Sequence, residues 1–362
     1  MNFAIAGELR SPSLKWFAAG LKRKLMDNGY HYCEEPVNDI RFVLNFVDTD
    51  HLKPFRRKAQ ATFSVAVAET HEPPHDILRS AYPVLIRTLS NLLIYIIHTP
   101  DGHCNTYFIT LEQGCYFVPF EQDNDELFFM KVMERLNPLA SSRLVINNEF
   151  HHDLPPDLWD GDEITAQIHK AGKQLDALNL LPAPFPLEEL LSSQDLRHVK
   201  RLYGIGGLSY GNLSARKDDR QFWMSASGVN KGDMRIIGRD ILLVMGYNAE
   251  RTAMLLNVPS NIEPHRVSVD AIEHWMIYMQ HPEVGAIVHV HAWMDGIPST
   301  EINYPCGTWE LAKAVSDLVN RSEDPARAII GLKNHGLTIT GPNLDEIFQR
   351  IEGRIVRQIP MT

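Results

Sequence analysis

The chain has 362 residues, 44% hydrophobic and 22% charged, the balance of a folded globular protein with room for two domains or one large one. Its 45 acidic residues outnumber 35 basic ones, for a net charge of -10 at pH 7, so no broad basic field exists to recruit nucleic acid or an anionic membrane. An anionic ligand would have to be held by a local pocket. The four cysteines, Cys33, Cys104, Cys115 and Cys306, form no CxxC pair and predict free thiols in a reducing cytoplasm.

The opening MNFAIAGELRSPS lacks the basic start and long apolar core of a signal peptide. From there the pattern alternates. FAIAG (3–7) and IRFVLNFV (40–47) read as buried strands, with a helix over about 13–26 between them. The intervening AGELRSPS reads as a plain strand-to-helix turn. ATFSVAVAE (61–69) is another strand. A buried helix is expected over 76–97, including the apolar run AYPVLIRTLSNLLIYII (81–97), which Arg87 interrupts and which is short for a membrane span. NTYFITLEQGCYFVPF (105–120) predicts a hairpin turning near Gln113-Gly114, DELFFMKVMERL (125–136) a helix, and SRLVINNEF (142–150) a strand.

HHDLPPDLWDGDE (151–163) has the proline and acidic content of a boundary loop. Its adjacent His151 and His152 would face opposite ways in a strand. A helix over 163–180 and the breaker PAPFP (182–186) follow. The expected organisation is therefore a 1–150 α/β domain of no assigned function, a 151–182 connecting segment with a helix, and a second domain over 183–362.

The second half carries the chemistry. AIVHVHAW (286–293) sets His289 and His291 two apart in a predicted strand, so both imidazoles face one way. With 16 histidines, about one such pair is expected by chance, so other residues must support it. KNHGLTITG (333–341) supplies His335 between two apolar runs, at a turn or strand end. Three imidazoles with an open fourth position are the pattern of a catalytic zinc site. Asp270 falls at the start of a predicted helix over 268–280, where a carboxylate also suits the helix dipole. SASGVNKG (225–232) offers backbone N–H groups, hydroxyls and Lys231, a loop able to cradle a phosphate.

GNLSAR (211–216), SASGVNKGDM (225–234), SVDAIEHWMIYMQHPEVGAIVHVHA (268–292), CGTWELAKAV (306–315) and KNHGLTITG (333–341) together resemble, in order, the class II aldolase/adducin family. Its sugar-phosphate members include fuculose-phosphate aldolase and ribulose-phosphate 4-epimerase. The resemblance covers about 187–362 and implies an α/β/α domain with a central, mainly antiparallel sheet, beside a separate N-terminal α/β domain. It implies that His289, His291 and His335 hold zinc, with iron or manganese as alternatives. It also implies that Gly211, Asn212, Ser227, Gly228 and Ser268, with Lys231 in the same loop, form the substrate's phosphate pocket. Asp270 matches the acid–base carboxylate, typically glutamate in the aldolases and aspartate in the epimerases. The implied function is a metal-dependent aldolase or epimerase-like enzyme that stabilises the enediolate of a small carbonyl or sugar-phosphate substrate. A homo-oligomer is implied as well, while cysteine usage and net charge lead to the expectation of a cytoplasmic protein without nucleic-acid or membrane partners.

The sequence departs from the family in four places. Val269 stands where a second pocket serine is usual, which makes a carboxylate or unphosphorylated ligand an alternative. WMDGIPSTEINYP (293–305) is short. The chain ends soon after an expected helix over 344–358, and the N-terminal half has no counterpart in the small aldolases. Two other readings remain open: an adducin-like binding module without metal, and a non-heme iron oxygenase on the same scaffold.

Overall fold

A computed structural model of the chain describes residues 1–34, 40–56, 62–99, 104–120, 124–182, 187–203 and 210–362. They gather into two compact units: Met1–Ser141 with Pro186–Val199 and Met361–Thr362, and Ser142–Phe185 with Lys200–Pro360.

The first unit runs β1 (Asn2–Gly7), α1 (Pro12–Asp27), β2 (His31–Tyr32), β3 (Ile40–Phe46), β4 (Phe63–Thr70), α2 (Ile77–Arg87), β5 (Leu92–His98), β6 (Cys104–Thr110), β7 (Gly114–Pro119) and α3 (Asp125–Ser141). Its sheet has the order β2-β1-β3-β4-β5-β6-β7. Pairing is parallel as far as β5 and antiparallel beyond it. Val65, Ala66, Val67, Leu92, Leu93 and Ile94 are fully buried, as expected for central strands covered on both faces. At α1, Ser11 accepts from Leu14 N–H and Pro12 takes the first turn, which fixes where the helix starts.

The expected helix over 76–97 is corrected: α2 stops at Arg87 and the rest becomes β5 in the sheet centre. The chain reverses through Thr88–Ser90, with Leu89 at φ 56° and the Thr88 hydroxyl donating to the Val84 carbonyl. A strand buried on both faces shows no alternation, so its apolar run is indistinguishable from a buried helix by periodicity. The breaker at 182–186 falls, from 183 on, outside the described residues.

The second unit holds β8 (Asn147–His151), α4 (Glu163–Ala177), β9 (Asn212–Arg216), β10 (Phe222–Ser225), β11 (Ile241–Asn248), β12 (Ala253–Asn257), α7 (Ala271–Gln280), β13 (Ala286–Val290), α8 (Trp309–Arg321), β14 (Ile329–Leu332), β15 (Gly336–Gly341) and α9 (Leu344–Ile351). The short α5 (Leu187–Leu190) and α6 (Ser193–Tyr203) precede β9 in the chain. The sheet order is β14-β15-β13-β9-β10-β11-β12-β8, antiparallel except for the parallel β12–β8 pair. The strand expected in the first half at 142–150 is thus β8, an edge strand of this second sheet. Ile168, Ala171 and Leu175 of α4 are buried in the same core as Trp223, Ile287 and Val288. His151 ends β8 and His152 follows it, both exposed.

The helix expected over 344–358 ends at Ile351. Gly353, at φ 69°, turns the chain, and Val356 then pairs with Trp293 through two backbone hydrogen bonds of 2.7 and 2.9 Å. No helix among the described residues is long and apolar enough to cross a membrane.

One side chain ties α7 to the strand that follows it. Arg216 of β9 donates to the Tyr278, His281 and Val284 carbonyls, each at 2.8 Å, closing the C-terminal end of α7 and its connector to β13. Arg216→Ala should lower the unfolding free energy by about 2–4 kcal/mol, because charged hydrogen bonds to otherwise orphaned carbonyls are lost. Urea unfolding measures this, and an unchanged midpoint would refute the assignment.

Candidate metal centre

β13 lies between β15 and β9, with His289 opposite Thr338 on one side and Asn212 on the other. Its Nδ1 is 3.0 Å from the Leu337 carbonyl, so Nδ1–H donates there and Nε2 keeps its lone pair. That Nε2 is buried and has no hydrogen-bond partner among the described residues. His291 lies just past the strand end. His335 closes the three-residue turn joining β14 to β15, in which Asn334 takes φ 58° and His335 N–H donates to the Leu332 carbonyl.

The three rings converge. Their centroids are 5.1 Å (His289–His291), 4.8 Å (His289–His335) and 4.6 Å (His291–His335) apart, and Nε2 of His291 is 3.1 Å from Nε2 of His335. One nitrogen from each lies within 4.8 Å of the others. Two glycines permit this approach. A Cβ at Gly336 would meet the Val290 carbonyl oxygen at 2.2 Å, and one at Gly211 (φ 71°) would meet the His289 carbonyl oxygen at 2.4 Å.

Burial keeps the imidazoles neutral. His289 is pushed down to about 4, His335 to about 3 and His291 well below its ordinary value, burial being the main cause in each and neighbouring histidines or Lys231 adding to it. Three neutral, desolvated imidazole nitrogens, one with an orphaned lone pair, make a donor set that fits a zinc-class ion with a position left open.

Asp270 occupies the N-cap position of α7, yet its side chain makes no capping bond. Its Oδ2 instead accepts from Asn212 Nδ2 at 2.7 Å, and the residue is 6% exposed. Burial raises its pKa, opposed by His335, Asn212 and Lys231. A simple helix-start charge would face solvent, and this carboxyl is buried against Asn212, the cross-strand neighbour of His289. Lys231 is also buried, and burial pushes it down to about 8 against the pull of Asp270.

The other expected pocket residues gather at the same end of β9 and β10. Ala226 bridges Val267, Ser227 N–H donates to the Arg266 carbonyl at 2.8 Å, and Ser268 N–H donates to the Ser225 carbonyl at 3.3 Å. Ser225 Oγ accepts from Leu213 N–H at 3.2 Å, next to Gly211 and Asn212. Gly228 takes φ 72° in the loop. Ser227 is exposed and Ser268 buried. Asn212, expected in the same pocket, donates to Asp270 through one N–H of its amide.

Sequence reasoning missed several neighbours. The Tyr210 ring meets His291 edge-on at 5.1 Å, and Cys306 Sγ is 3.3 Å from His335 Nε2. Glu273, one turn after Asp270, is buried and accepts from the Thr338 hydroxyl at 2.5 Å. Its three-residue spacing from Asp270 on a helix was the available signal. Ser214 joins His274 Nδ1 and the Tyr278 hydroxyl, both at 2.8 Å, behind the site.

Known proteins carry the same arrangement of sequence. The class II aldolase and adducin N-terminal domain matches residues 196–294. Methylthioribulose-1-phosphate dehydratase from Leptospira biflexa is 31% identical over 163 residues, which is 44% of this chain and 68% of that protein. The enzyme of the same name from Microcystis aeruginosa is 32% identical over 96 residues, 26% of this chain and 42% of that protein. Among solved structures, YgbL from Klebsiella pneumoniae aligns at 17% identity and a TM-score of 0.35, covering 52% of this chain and 84% of its own. L-fuculose-1-phosphate aldolase from Thermus thermophilus aligns at 18% identity and a TM-score of 0.32, covering 51% and 86%. With two thirds of a dehydratase sequence aligned, and the family's own domain recognised across a stretch that includes His289 and His291, the chain belongs to the class II aldolase/adducin family.

Proposed function

We propose that this family member is a metal-dependent lyase or epimerase acting on a small ketose or ketose phosphate. The observation that carries the reading is a buried Asp270 carboxyl held by Asn212, the cross-strand neighbour of His289, together with three convergent imidazoles. His289, His291 and His335 would hold the ion, zinc before iron or manganese, with a position left open for substrate. When bound, the ion supplies Lewis-acid polarisation of the substrate's carbonyl and stabilises negative charge developing on its oxygens.

The chain's own groups do the rest. Asn212 holds Asp270 Oδ2, which leaves Oδ1 to take a proton from the substrate and return it. Burial raises the Asp270 pKa and so brings the carboxyl closer to the range in which both steps are feasible at neutral pH. Lys231 and the Gly211, Ser227, Gly228 and Ser268 cluster would anchor the far phosphate and fix the reacting end in register. Val269 contributes no hydroxyl to that cluster, which leaves the buried Lys231 as its main charge. The sugar-phosphate names of the dehydratase relatives support this substrate class.

Zinc-loaded protein should turn over a compound from a panel that includes methylthioribulose-1-phosphate, L-fuculose-1-phosphate and their unphosphorylated sugars. Asp270→Asn should keep the metal and lose about 10²–10⁴-fold in kcat, whereas His289→Ala should lose metal and activity together. Full turnover by Asp270→Asn would refute the acid–base role.

Glu273 offers a pH test. Burial first, then the Asp270 charge, push its carboxyl from 4.5 up to about 8, so the folded chain keeps a proton that the unfolded chain has released. Stability therefore falls as pH rises from about 4.5 to about 8. Glutamine mimics the protonated form. In metal-free protein, the Tm advantage of Glu273→Gln over wild type should grow across that window, and a difference independent of pH would contradict the assignment.

A further inference from the structure

A second cluster of ligating side chains lies in the first unit, at the carboxyl ends of adjacent parallel strands, where open α/β sheets hold ligands. Glu69 is the penultimate residue of β4, His71 follows that strand, and His98 ends β5. Glu69 Oε2 is 3.0 Å from His98 Nε2. The His71 ring stacks on the His98 ring, with centroids 4.2 Å apart and planes inclined by 16°. One carboxylate oxygen and one nitrogen from each ring lie within 4.8 Å of one another. A single ion at about 2.0–2.2 Å from each ligand can bridge such a set after small side-chain rotations.

Glu69 and His98 are oriented from behind, and the backbone at His71 is held by a turn. Glu69 accepts from the Ser13 hydroxyl in the first turn of α1, and Ser11 adds a second hydroxyl donor. His98 Nδ1 is 3.2 Å from Sγ of Cys104, its cross-strand partner in β6. Without an ion Nε2–H donates to Glu69, and an ion that displaces this proton would take Nε2, with the Cys104 sulfur against Nδ1 keeping the ring in place. The Thr70 hydroxyl closes a short turn with the Glu72 backbone, at 3.1 and 3.2 Å, and so sets the position of His71.

A plain ion pair would account for Glu69 and His98 but not for His71. We infer that Glu69, His71 and His98 form a second divalent transition-metal site of the zinc class, separate from the three-histidine centre. Its two imidazoles and one carboxylate leave positions open to solvent on the exposed His71 side. The inference does not depend on the reaction proposed for the other centre.

The test uses the full chain, stripped with a chelator and titrated with Zn²⁺ alone. A His289→Ala/His335→Ala chain, in which the first centre is silenced, should still bind one zinc per chain. Adding His71→Ala and Glu69→Gln should weaken that binding by about 100-fold or more. No binding by the silenced chain at about 100 µM Zn²⁺, or binding indifferent to the added substitutions, would overturn the inference. Because the silenced chain could be poorly folded, zinc retained after gel filtration gives an independent reading. Wild type should hold two per chain and His71→Ala, altered only at an exposed ring, should hold one. Equal zinc contents would overturn the site.

Discussion

Three buried imidazoles that turn uncharged nitrogens towards one another are costly unless a shared cation uses their lone pairs. The rest of the second unit is arranged around meeting that demand. The order β14-β15-β13-β9 carries His335 on one hairpin turn up to His291, and β9 brings Asn212 alongside His289. Glycine at 211 and 336 lets neighbouring backbones come closer than a Cβ would allow. Arg216 holds the end of α7, the helix whose other end carries Asp270.

Electrostatics around the centre follow from the same burial. Histidines are driven neutral, Lys231 is driven towards neutrality, and the Asp270 and Glu273 carboxyls are driven up. A buried centre with uncharged imidazoles and a carboxyl raised above its ordinary pKa suits both metal binding and proton transfer. The hydroxyls of Ser214, Thr338 and Tyr278 satisfy polar groups behind the centre, which keeps its first ring of side chains in one arrangement.

Local chemistry explains what the sequence made legible. Strand alternation suggested a shared face for His289 and His291, of which only His289 lies within β13, and His335 sits at the turn between two apolar runs. The five blocks in order also pointed to the family and to its mainly antiparallel sheet. What was hidden depends on long-range pairing. Between 81 and 97 only the short polar stretch at 87–91 marks the change from α2 to β5, and the run after it reads equally as helix because a doubly covered strand has no alternation. β8 is separated from its partner β12 by about a hundred residues, so its sheet was not readable. Cys306 and Tyr210 reach the histidines from loops, and Glu69, His71 and His98 meet only because β4 and β5 pair in parallel.

The most direct test of the central claim is anomalous X-ray scattering at the zinc edge from crystals of the zinc-loaded full chain. The account predicts a peak at about 2.0–2.1 Å from a ring nitrogen of each of His289, His291 and His335, with the Asp270 carboxyl beside it. Loaded crystals with no peak at those three rings, or with the rings turned apart, would contradict it.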